Sequence, residues 1–353
     1  MDKLKQVLET IAAFYRENGR TLPWREEISP YRVWLSEIML QQTRVEAVIP
    51  YFYRFLDALP TVRALAEADE ETVLKLWEGL GYYSRARNLR LAAQAIMEKH
   101  KGCFPESYEG LLSLPGVGEY TAAAIGSICF GLPRAAVDGN VLRIYARLFE
   151  DGRDILSASV KKEITESLSS VFPSGSEAGD VTQGFMEIGQ RFCLPNGAPL
   201  CESCPLLSLC DAAKSGKQTE YPYRAPKAKR RIEQKTVLLL HMTDEGRGKF
   251  LLHKRPDKGL LAGLWEFPNT EGSLSPEEAL AFAEGIGAKA DGALEIKGGI
   301  HIFTHKEWHM SGYLLSCDAI EPMEGYALAT EEDIRGIYPI ASAFGVFKKY
   351  IEA

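Results

Sequence analysis

Residues Leu114-Pro115-Gly116-Val117-Gly118 lie between two stretches in which apolar residues recur at helical spacing, 106–113 and 119–130. Glycine adopts backbone conformations that other residues avoid, so two glycines in five residues predict a sharp turn. A turn of this kind exposes successive backbone N–H groups, and the helix that follows adds the positive end of its dipole. The segment therefore predicts two helices joined by a tight hairpin with an anion site. An ordinary helix–helix turn is the alternative reading.

The hairpin belongs to a helical region that extends from residue 1 to about residue 213. Apolar side chains recur every three or four residues there, as in Leu4, Val7 and Leu8, and glycine and proline signals separate the helices. Residues 214–235 are polar and basic with two prolines, a composition typical of a linker.

The pattern of apolar and turn residues in the sequence changes at Thr236. A turn-rich segment, 244–248, separates two apolar runs and predicts a β-hairpin. We expect a short helix over 276–286 and further strands over 299–303 and 308–316. The sequence therefore predicts a multidomain protein, with an all-α domain at 1–213 followed by an α/β domain at 236–353.

The composition is that of a globular protein, with 46% hydrophobic and 25% charged residues among 353. We find no secretion signal and no apolar run of about 20 residues, so we expect a cytoplasmic protein without a membrane partner. The net charge is −7, but residues 214–235 contain eight basic and two acidic residues. This basic stretch is compatible with DNA binding, but taken alone a solvated linker is the more common explanation of such a stretch.

Four of the seven cysteines lie within 18 residues, with the spacing Cys193-x7-Cys201-x2-Cys204-x5-Cys210. Four thiolates that meet at one centre suit a [4Fe–4S] cluster or a tetrahedral zinc ion, and spacing alone does not decide between them. Because all four ligand positions are filled, we expect a structural role. The other three cysteines have apolar neighbours and are predicted to be buried thiols, namely Cys103, Cys129 and Cys317.

Two carboxylates occupy positions that suit acid–base chemistry. On a helix, Glu37 would have Val33, Trp34 and Ile38 as neighbours, and such an apolar setting raises the pKa of a carboxyl group. Asp138 precedes a helical run and is expected to cap it, which would keep the carboxylate ionised. A surface glutamate and a purely structural cap are the alternatives. The sequence predicts pKa shifts in opposite directions, as glycosidic bond cleavage requires.

These segments together resemble helix-hairpin-helix DNA glycosylases of the endonuclease III and MutY type, and the MutY family in particular. That family carries a Ser-Glu-Ile/Val-Met-Leu-Gln-Gln-Thr motif, here 36–43, and the Leu-Pro-Gly-Val-Gly hairpin. The superfamily holds [4Fe–4S] in a Cys-x6-Cys-x2-Cys-x5-Cys loop, and this chain has one extra residue in the first interval. The resemblance covers nearly the whole chain and implies a glycosylase that removes adenine opposite 8-oxoguanine or guanine in double-stranded DNA, acting as a monomer.

The resemblance also implies roles for individual residues. Glu37 would protonate adenine, and Asp138 would stabilise the cationic sugar, with support from Tyr120 and Asn140. Gly116, Val117 and Gly118 would hold a DNA phosphate together with a monovalent cation. The residues that resemble the family's substrate contacts are Trp24, Arg25, Leu40, Gln41, Gln42, Thr43, Leu80, Tyr82 and Gln183. Of these, Gln42 and Tyr82 would wedge into the base stack near 8-oxoguanine.

Position 120 discriminates within the superfamily. Endonuclease III-like enzymes have a lysine there, whose amine forms a Schiff base with the sugar. This chain has Tyr120, which cannot form an imine, so we expect base removal without strand cleavage. Glu119 departs from the family's usual proline and places an acid beside the predicted phosphate.

The carboxy-terminal domain resembles a degenerate Nudix fold in its Gly259–Pro268 segment. A Nudix hydrolase needs a glutamate-rich helix to hold divalent metal ions, and the corresponding stretch, 280–286, has one glutamate. Nucleotide hydrolysis is therefore not expected. The family's 8-oxoguanine-sensing Phe-Ser-His loop corresponds to Phe303, Thr304 and His305.

Three rival functions remain open at this point. The chain could be a glycosylase that also cleaves the strand, a damage-binding protein without catalysis, or a nucleotide pyrophosphohydrolase that uses residues 236–353.

Overall fold

The computed structural model describes residues 2–226, 229–244 and 247–351. The chain divides into two compact units. The first consists of residues 1–67 and 88–226, and the second of residues 68–87 and 227–353. The short segment 68–87 is therefore part of the second unit, although it lies far from the rest of that unit in sequence.

The part of the chain described up to residue 226 contains helices and no strand, as the apolar periodicity predicts. The helices are α1 (Asp2–Asn18), α2 (Pro23–Glu26), α3 (Pro30–Leu40), α4 (Val45–Ala58), α5 (Val62–Glu67), α6 (Glu70–Leu76), α7 (Ser84–His100), α8 (Tyr108–Leu112), α9 (Glu119–Phe130), α10 (Gly139–Leu148), α11 (Ala158–Ser169), α12 (Ser176–Arg191) and α13 (Asp211–Lys214). Short 3₁₀ turns follow α12 at Cys201–Ser203 and Leu207–Leu209.

The core of the first unit forms where α1, α10 and α12 pack together. Ile11, Ile144 and Ile188 are almost fully buried in it, and each such side chain stabilises the fold by roughly 1.5–3 kcal/mol. Gly184 permits the close approach of α1 and α12, because a Cβ there would lie 2.5 Å from a methyl carbon of Ile11. This packing holds the end of α12, from which the cysteine loop departs.

The predicted hairpin is formed by α8, the turn 113–118 and α9. Gly116 has φ +72°, and a Cβ at that position would lie 2.4 Å from Cβ of Asn88. No other residue type fits this turn without displacing a neighbour. The helices on either side agree with the predicted stretches to within two residues.

The second unit contains an eight-stranded mixed sheet. Its strands are β1 (Arg231–Asp244), β2 (Arg247–Lys254), β3 (Trp265–Glu266), β4 (Asn269–Glu271), β5 (Ala288–Ala290), β6 (Leu294–Ile302), β7 (Lys306–Ile320) and β8 (Tyr326–Thr330). The main order is β3-β2-β1-β7-β5, while β4 pairs with β1, β6 with β7 and β8 with β2. The parallel β1–β7 pair is the centre of the sheet.

The predicted β-hairpin is present as the antiparallel β1–β2 pair, in which Asp244 is opposite Arg247. Its predicted turn includes Glu245 and Gly246, which lie outside the described residues, as do 227–228 of the predicted linker. β1 begins at Arg231, so the end of the stretch predicted as a linker belongs to the sheet, because β7 pairs with it from that residue onward.

The helix predicted over 276–286 is α14 (Pro276–Gly285), which Ser275 and Glu278 begin with a capping box. It packs against Leu240, Tyr313 and Leu315 of the sheet. A short helix, α15 (Glu331–Gly336), and a 3₁₀ segment, Ser342–Tyr350, complete the unit.

None of the helices found in the described residues is long and apolar enough to span a bilayer.

The prediction that Cys103 is buried is wrong, since this side chain is exposed, while Cys129 is partly buried and Cys317 is buried. Apolar sequence neighbours did not determine the burial of Cys103, because it lies just after the end of α7 and not inside a helix.

Candidate active site

Glu37 lies on α3 in the apolar setting that the sequence predicts. Only 5% of its surface is exposed, and Val33, Trp34 and Ile38 beside it are buried. Burial raises the pKa of Glu37 to about 7, because a charged carboxylate loses its hydration there. A hydrogen bond from Tyr120 and the charge of Arg25 partly oppose this rise, while the nearby Asp138 adds to it.

Tyr120 lies in the first turn of α9 and contacts Glu37 directly. Its phenol O–H donates to Oε2 of Glu37 over 2.8 Å. Burial and the neighbouring carboxylates raise the pKa of Tyr120 well above its usual value, so the phenol keeps its proton and remains a donor. The hairpin thus supplies a partner for the carboxyl group on α3.

Asp138 is the N-cap of α10, as predicted. Its Oδ1 accepts the backbone N–H groups of Asn140 at 2.8 Å and Val141 at 2.9 Å. Its Oδ2 accepts from Nδ2 of Asn140 at 2.7 Å, and Arg143 in turn donates to Oδ1 of Asn140 over 2.8 Å. The three hydrogen bonds to Asp138 fix the orientation of its carboxylate, and the bond from Arg143 holds the side chain of Asn140 in place.

The pKa directions of the two carboxyl groups correct one expectation. Burial raises the pKa of Asp138, although its three hydrogen bonds and Arg143 lower it. The predicted shifts in opposite directions are therefore not found, because loss of hydration is the largest effect on the pKa of both groups. The two sites still differ chemically, since Asp138 accepts three N–H donors that stabilise an anion, whereas Glu37 accepts one phenol.

One open cleft in the first unit contains the four predicted catalytic residues, Glu37, Tyr120, Asp138 and Asn140. Two carboxyl groups, one on α3 and one at the start of α10 and 101 positions apart in sequence, thus line the same cleft. The cleft is also lined by Arg20, Leu40, Gln41, Gln42, Thr43, Arg44, Val45, Glu46, Gly139, Met186, Gly189, Gln190 and Pro195.

Four of the predicted substrate contacts line this cleft, namely Leu40, Gln41, Gln42 and Thr43. Gln42 has φ +60°, which is a left-handed backbone conformation. This conformation is energetically unfavourable for a residue other than glycine, and residues that adopt it are often found at functional sites. Arg20, Met186 and Gln190 were not predicted. They belong to no motif, and their place in the cleft depends on how α12 and the α1–α2 loop pack.

The remaining predicted contacts of the first unit lie in its interior and not among the cleft-lining residues. Trp24 packs edge-to-face on Phe52, with ring centroids 5.4 Å apart. Nη1 of Arg25 forms a 2.7 Å ion pair with Glu187, and Gln183 donates weakly to the carbonyl of Gly179 over 3.4 Å.

In the second unit, the structure brings together two residues that the resemblance assigns to 8-oxoguanine. The hydroxyls of Tyr82 and Thr304 lie 3.5 Å apart. Tyr82 is half exposed, whereas Leu80 is buried. Phe303 packs edge-to-face on Trp308, and the carbonyl of His305 accepts the N–H of Arg231, so this loop is attached to the sheet on both sides.

The hairpin has the geometry of an anion site. Gly118 is the N-cap of α9 and has no side chain to occupy the first N–H groups of the helix. A Cβ at Gly118 would meet no atom within 4 Å, so the turn is open on that side, while Val117 is buried beneath it. Glu119 lies in the first helical turn, where its charge is unfavourable for a phosphate.

The four clustered cysteines line one apolar cavity, together with Ile144, Leu148, Ile188 and Leu206 among others. Nη1 of Arg147 donates to Sγ of Cys193 over 3.1 Å. Burial raises the pKa of the Cys204 thiol to about 12. Among the described residues, no three His, Cys, Asp or Glu side chains converge closely enough to hold a single metal ion.

The extra residue between the first two cysteines is accommodated by a local loop. Gly197 has φ +73° in open space, and Leu194 and Leu200 both donate backbone N–H groups to the carbonyl of Phe192. The loop leaves α12 and returns to its end, so the additional residue does not prevent the four thiols from sharing a cavity.

Comparison with known protein families finds two matches. Residues 35–172 match the HhH-GPD superfamily of base excision DNA repair proteins, and residues 237–346 match the NUDIX domain. The first match contains Glu37, the hairpin and Asp138. The second contains the loop 303–305.

Comparison with individual proteins gives the same result. The chain is 37% identical to the adenine DNA glycosylase of Arabidopsis thaliana, covering 72% of this chain and 46% of that protein. It is 33% identical to the adenine DNA glycosylase of Buchnera aphidicola subsp. Acyrthosiphon pisum, covering 87% of this chain and 85% of that protein. A solved thermostable thymine-DNA glycosylase is similar over 61% of this chain and 98% of its own, with 27% identity and a TM-score of 0.54. The chain thus spans about half the length of the plant relative and most of the bacterial one.

Proposed function

The chain belongs to the adenine DNA glycosylase family of base excision repair proteins, and from this premise we propose that it hydrolyses the N-glycosidic bond of adenine mispaired with 8-oxoguanine or guanine in double-stranded DNA. The product would be an abasic site in an uncleaved strand. The observation that carries the proposal is the cleft in which Glu37 and Asp138 face the same space.

The two carboxyl groups divide the chemistry between them. With a pKa of about 7, Glu37 is protonated in a large fraction of molecules at neutral pH and can donate that proton to the adenine ring, which then leaves as a neutral base. The hydrogen bond from Tyr120 orients the donor. Asp138, fixed by Asn140 and the helix terminus, stabilises the cationic sugar until water completes hydrolysis.

We propose that the enzyme is monofunctional, because position 120 offers a phenol where a strand-cleaving relative would offer an amine. A phenol cannot form an imine with the opened sugar. Borohydride would therefore trap little covalent enzyme–DNA adduct, and robust trapping would support the rival enzyme with lyase activity.

Recognition of the opposite base is assigned to Tyr82 and Thr304, whose hydroxyls are neighbours. A base inside a duplex must be extruded before chemistry, and Gln42, held in a left-handed conformation, is suited to fill the gap. The open N-terminus of α9 with Gly116, Val117 and Gly118 would bind a DNA phosphate, with a monovalent cation beside it.

The cysteine cavity suits a [4Fe–4S] cluster. The four thiols line one shared apolar space, and four cysteine thiolates are the ligand set of such a cluster. Cys193, Cys201, Cys204 and Cys210 would hold the cluster, and Arg147 would donate to a sulfur. When bound, the cluster would join four points of the loop after α12 to one another, and α10 would contact it only through the hydrogen bond from Arg147.

We further propose that residues 1–213, apart from the segment 68–87 of the second unit, form the glycosylase domain. Residues 214–235 are a basic connection whose last residues enter strand β1, and 236–353 form the domain that senses 8-oxoguanine. The protein would act as a monomer on cellular DNA, in the cytoplasm or on the nucleoid of a bacterium. The single-domain matches at 35–172 and 237–346 support this division.

The decisive experiment is one glycosylase assay on A·8-oxoguanine, A·G and A·C duplexes, with and without alkali. Adenine release from the first two, with strand breaks only after alkali, is the expected result. Glu37→Gln and Asp138→Asn should each reduce the single-turnover rate by at least about 10²-fold while DNA binding remains. Glu98→Gln, on the exposed surface of α7, is the matched control. Tight binding of the A·8-oxoguanine duplex without adenine release, even with excess enzyme, would contradict the proposal and favour a binding protein.

A further inference from the structure

The loop that carries Tyr82 has an unusual backbone. Between α6 and α7, Gly79, Gly81 and Tyr82 have φ values of +103°, +69° and +48°. Glycine adopts such angles at little cost, but a tyrosine does so only when its surroundings compensate. Something in the structure must therefore hold Tyr82 in this conformation.

Arg85 makes contacts that do so. Its Nη2 donates to the carbonyl of Leu80 over 3.1 Å and to that of Gly81 over 3.2 Å. Its backbone N–H donates to the carbonyl of Tyr82 over 2.9 Å. The side chain of Arg85 therefore binds the two peptide groups immediately before Tyr82.

The guanidinium of Arg85 also contacts two aromatic rings. It is 5.5 Å from the ring centroid of Tyr82 and 5.4 Å from that of Trp77. Trp77 is fully buried, and its Nε1 donates to the carbonyl of Gly81 over 3.1 Å. Arg85 therefore contacts the ring of Tyr82 and a buried ring that is itself bonded to the same loop.

We propose that Arg85 is a positioning residue that holds Tyr82 beside Thr304 before DNA binds, and so sets the discrimination of 8-oxoguanine from guanine. This inference rests on the proposed function. Tyr82 is half exposed and could contact a base, whereas Arg85 lies behind it and acts through it.

The chemistry of the guanidinium explains why an arginine suits this position. Its Nη2 donates to two carbonyls while the flat guanidinium group lies over the Tyr82 ring, and a lysine ammonium has no such flat face. Burial lowers the pKa of Arg85 to about 10, so the group is still charged at neutral pH. The charged Arg85 side chain and its contacts with the loop are therefore present throughout the pH range in which the enzyme would act.

The test compares Arg85→Met and Arg85→Lys with the unmodified full-length chain. Arg63→Met is the matched control, because it removes the same charge from an exposed side chain on α5. The measured quantity is the ratio of single-turnover adenine release rates on A·8-oxoguanine and A·G duplexes. Both Arg85 variants should lower this ratio, by about tenfold for Arg85→Met, and the control should not.

A double-mutant cycle with Tyr82→Leu separates positioning from a general structural role. If Arg85 acts through Tyr82, then Arg85→Met has no further effect on the ratio once Tyr82 is replaced. Additive effects of the two substitutions would overturn the proposal, and so would an Arg85→Lys variant that discriminates as well as the unmodified chain.

Hydrogen exchange without DNA gives a readout that needs no activity. Deuterium uptake in the peptide that contains residues 79–83 should be faster in Arg85→Met and unchanged in Arg63→Met. Unchanged deuterium uptake in Arg85→Met would contradict the claim that Arg85 holds the backbone of residues 79–83, even if the enzyme were active. Adenine release by the unmodified chain is measured first and tests the proposed function separately.

Discussion

The phenol of Tyr120 and the carboxyl group of Glu37 are joined by a 2.8 Å hydrogen bond between residues 83 positions apart. The pair lies at the meeting point of α3 and the hairpin, where Glu37 is buried and Tyr120 is partly buried. A phenol that keeps its proton favours the ionised form of its partner, whereas burial favours the protonated form. The balance between these effects places the pKa of Glu37 near the pH at which a proton donor works best.

The first prediction concerns the pH dependence of adenine release. Glu37 donates only when protonated, so the single-turnover rate should be constant below about pH 6 and fall as pH rises through about 7. Well above this pKa the rate should drop about tenfold per pH unit. Rates from pH 5.5 to 9 on A·8-oxoguanine would check this, with DNA affinity measured in parallel. A rate that stays level up to pH 9 would contradict the assignment of Glu37 as the acid.

The second prediction concerns Tyr120→Phe. The hydrogen bond from Tyr120 lowers the pKa of Glu37, so its removal should raise that pKa and move the alkaline limb of the profile to higher pH. The maximal rate should fall as well, because the donor loses its orientation. Tyr108→Phe, on the neighbouring helix α8, is the control and should leave the limb in place. A shift to lower pH would show that the phenol does not stabilise the carboxylate.

The third prediction concerns the effect of the raised pKa of Glu37 on the stability of the folded protein. The unfolded state loses the Glu37 proton near pH 4.5, while the folded state keeps it until about 7. Folded protein therefore loses stability between these values, by up to about 3 kcal/mol from this residue. Glu37→Gln removes the effect, so its stability relative to the unmodified chain should be greater at pH 8 than at pH 5. Thermal midpoints at both pH values would test this, with Glu98→Gln as the control. Equal differences at the two pH values would argue against a buried, protonated Glu37.

The fourth prediction separates two glycines of the hairpin. Alanine at Gly116 would combine a positive φ with a Cβ placed 2.4 Å from Asn88, whereas alanine at Gly118 meets open space at a negative φ. Gly116→Ala should lower the melting temperature of the first unit by several degrees, at about 2–4 °C per kcal/mol for a domain of about 150–250 residues. Gly118→Ala should change it little. Similar melting temperatures for both variants would mean that the turn tolerates a side chain at position 116.

The fifth prediction concerns the cluster. Cys204→Ser removes one of four thiols around the shared cavity, so the purified protein should contain little iron and sulfide and should unfold more easily. Cys317→Ser is the control, because that buried thiol belongs to the sheet of the second unit. A full complement of iron in Cys204→Ser would show that this residue is not a ligand.

Some expectations from sequence failed for identifiable reasons. The apolar neighbours of Cys103 suggested burial, but exposure depends on which face of the chain a packed element covers, and nothing covers this one. The cap at Asp138 was predicted correctly, yet its pKa is raised, because the cost of burial exceeds the benefit of its hydrogen bonds. Local sequence indicates which partners a carboxylate has nearby, but not how much water remains around it.

By itself, the sequence determined the residue types available for chemistry and the local elements that carry them. It supplied a carboxyl group within an apolar helical stretch and four thiols in one loop. It also supplied a phenol at the position where strand-cleaving relatives have an amine. Only the tertiary structure decided which of these groups meet. Glu37 and Asp138 share a cleft, and the hydroxyls of Tyr82 and Thr304, 222 positions apart, are neighbours. The physical reason is that helical periodicity and turn residues act over a few positions, whereas distances and burial between remote segments depend on how the helices and the sheet pack.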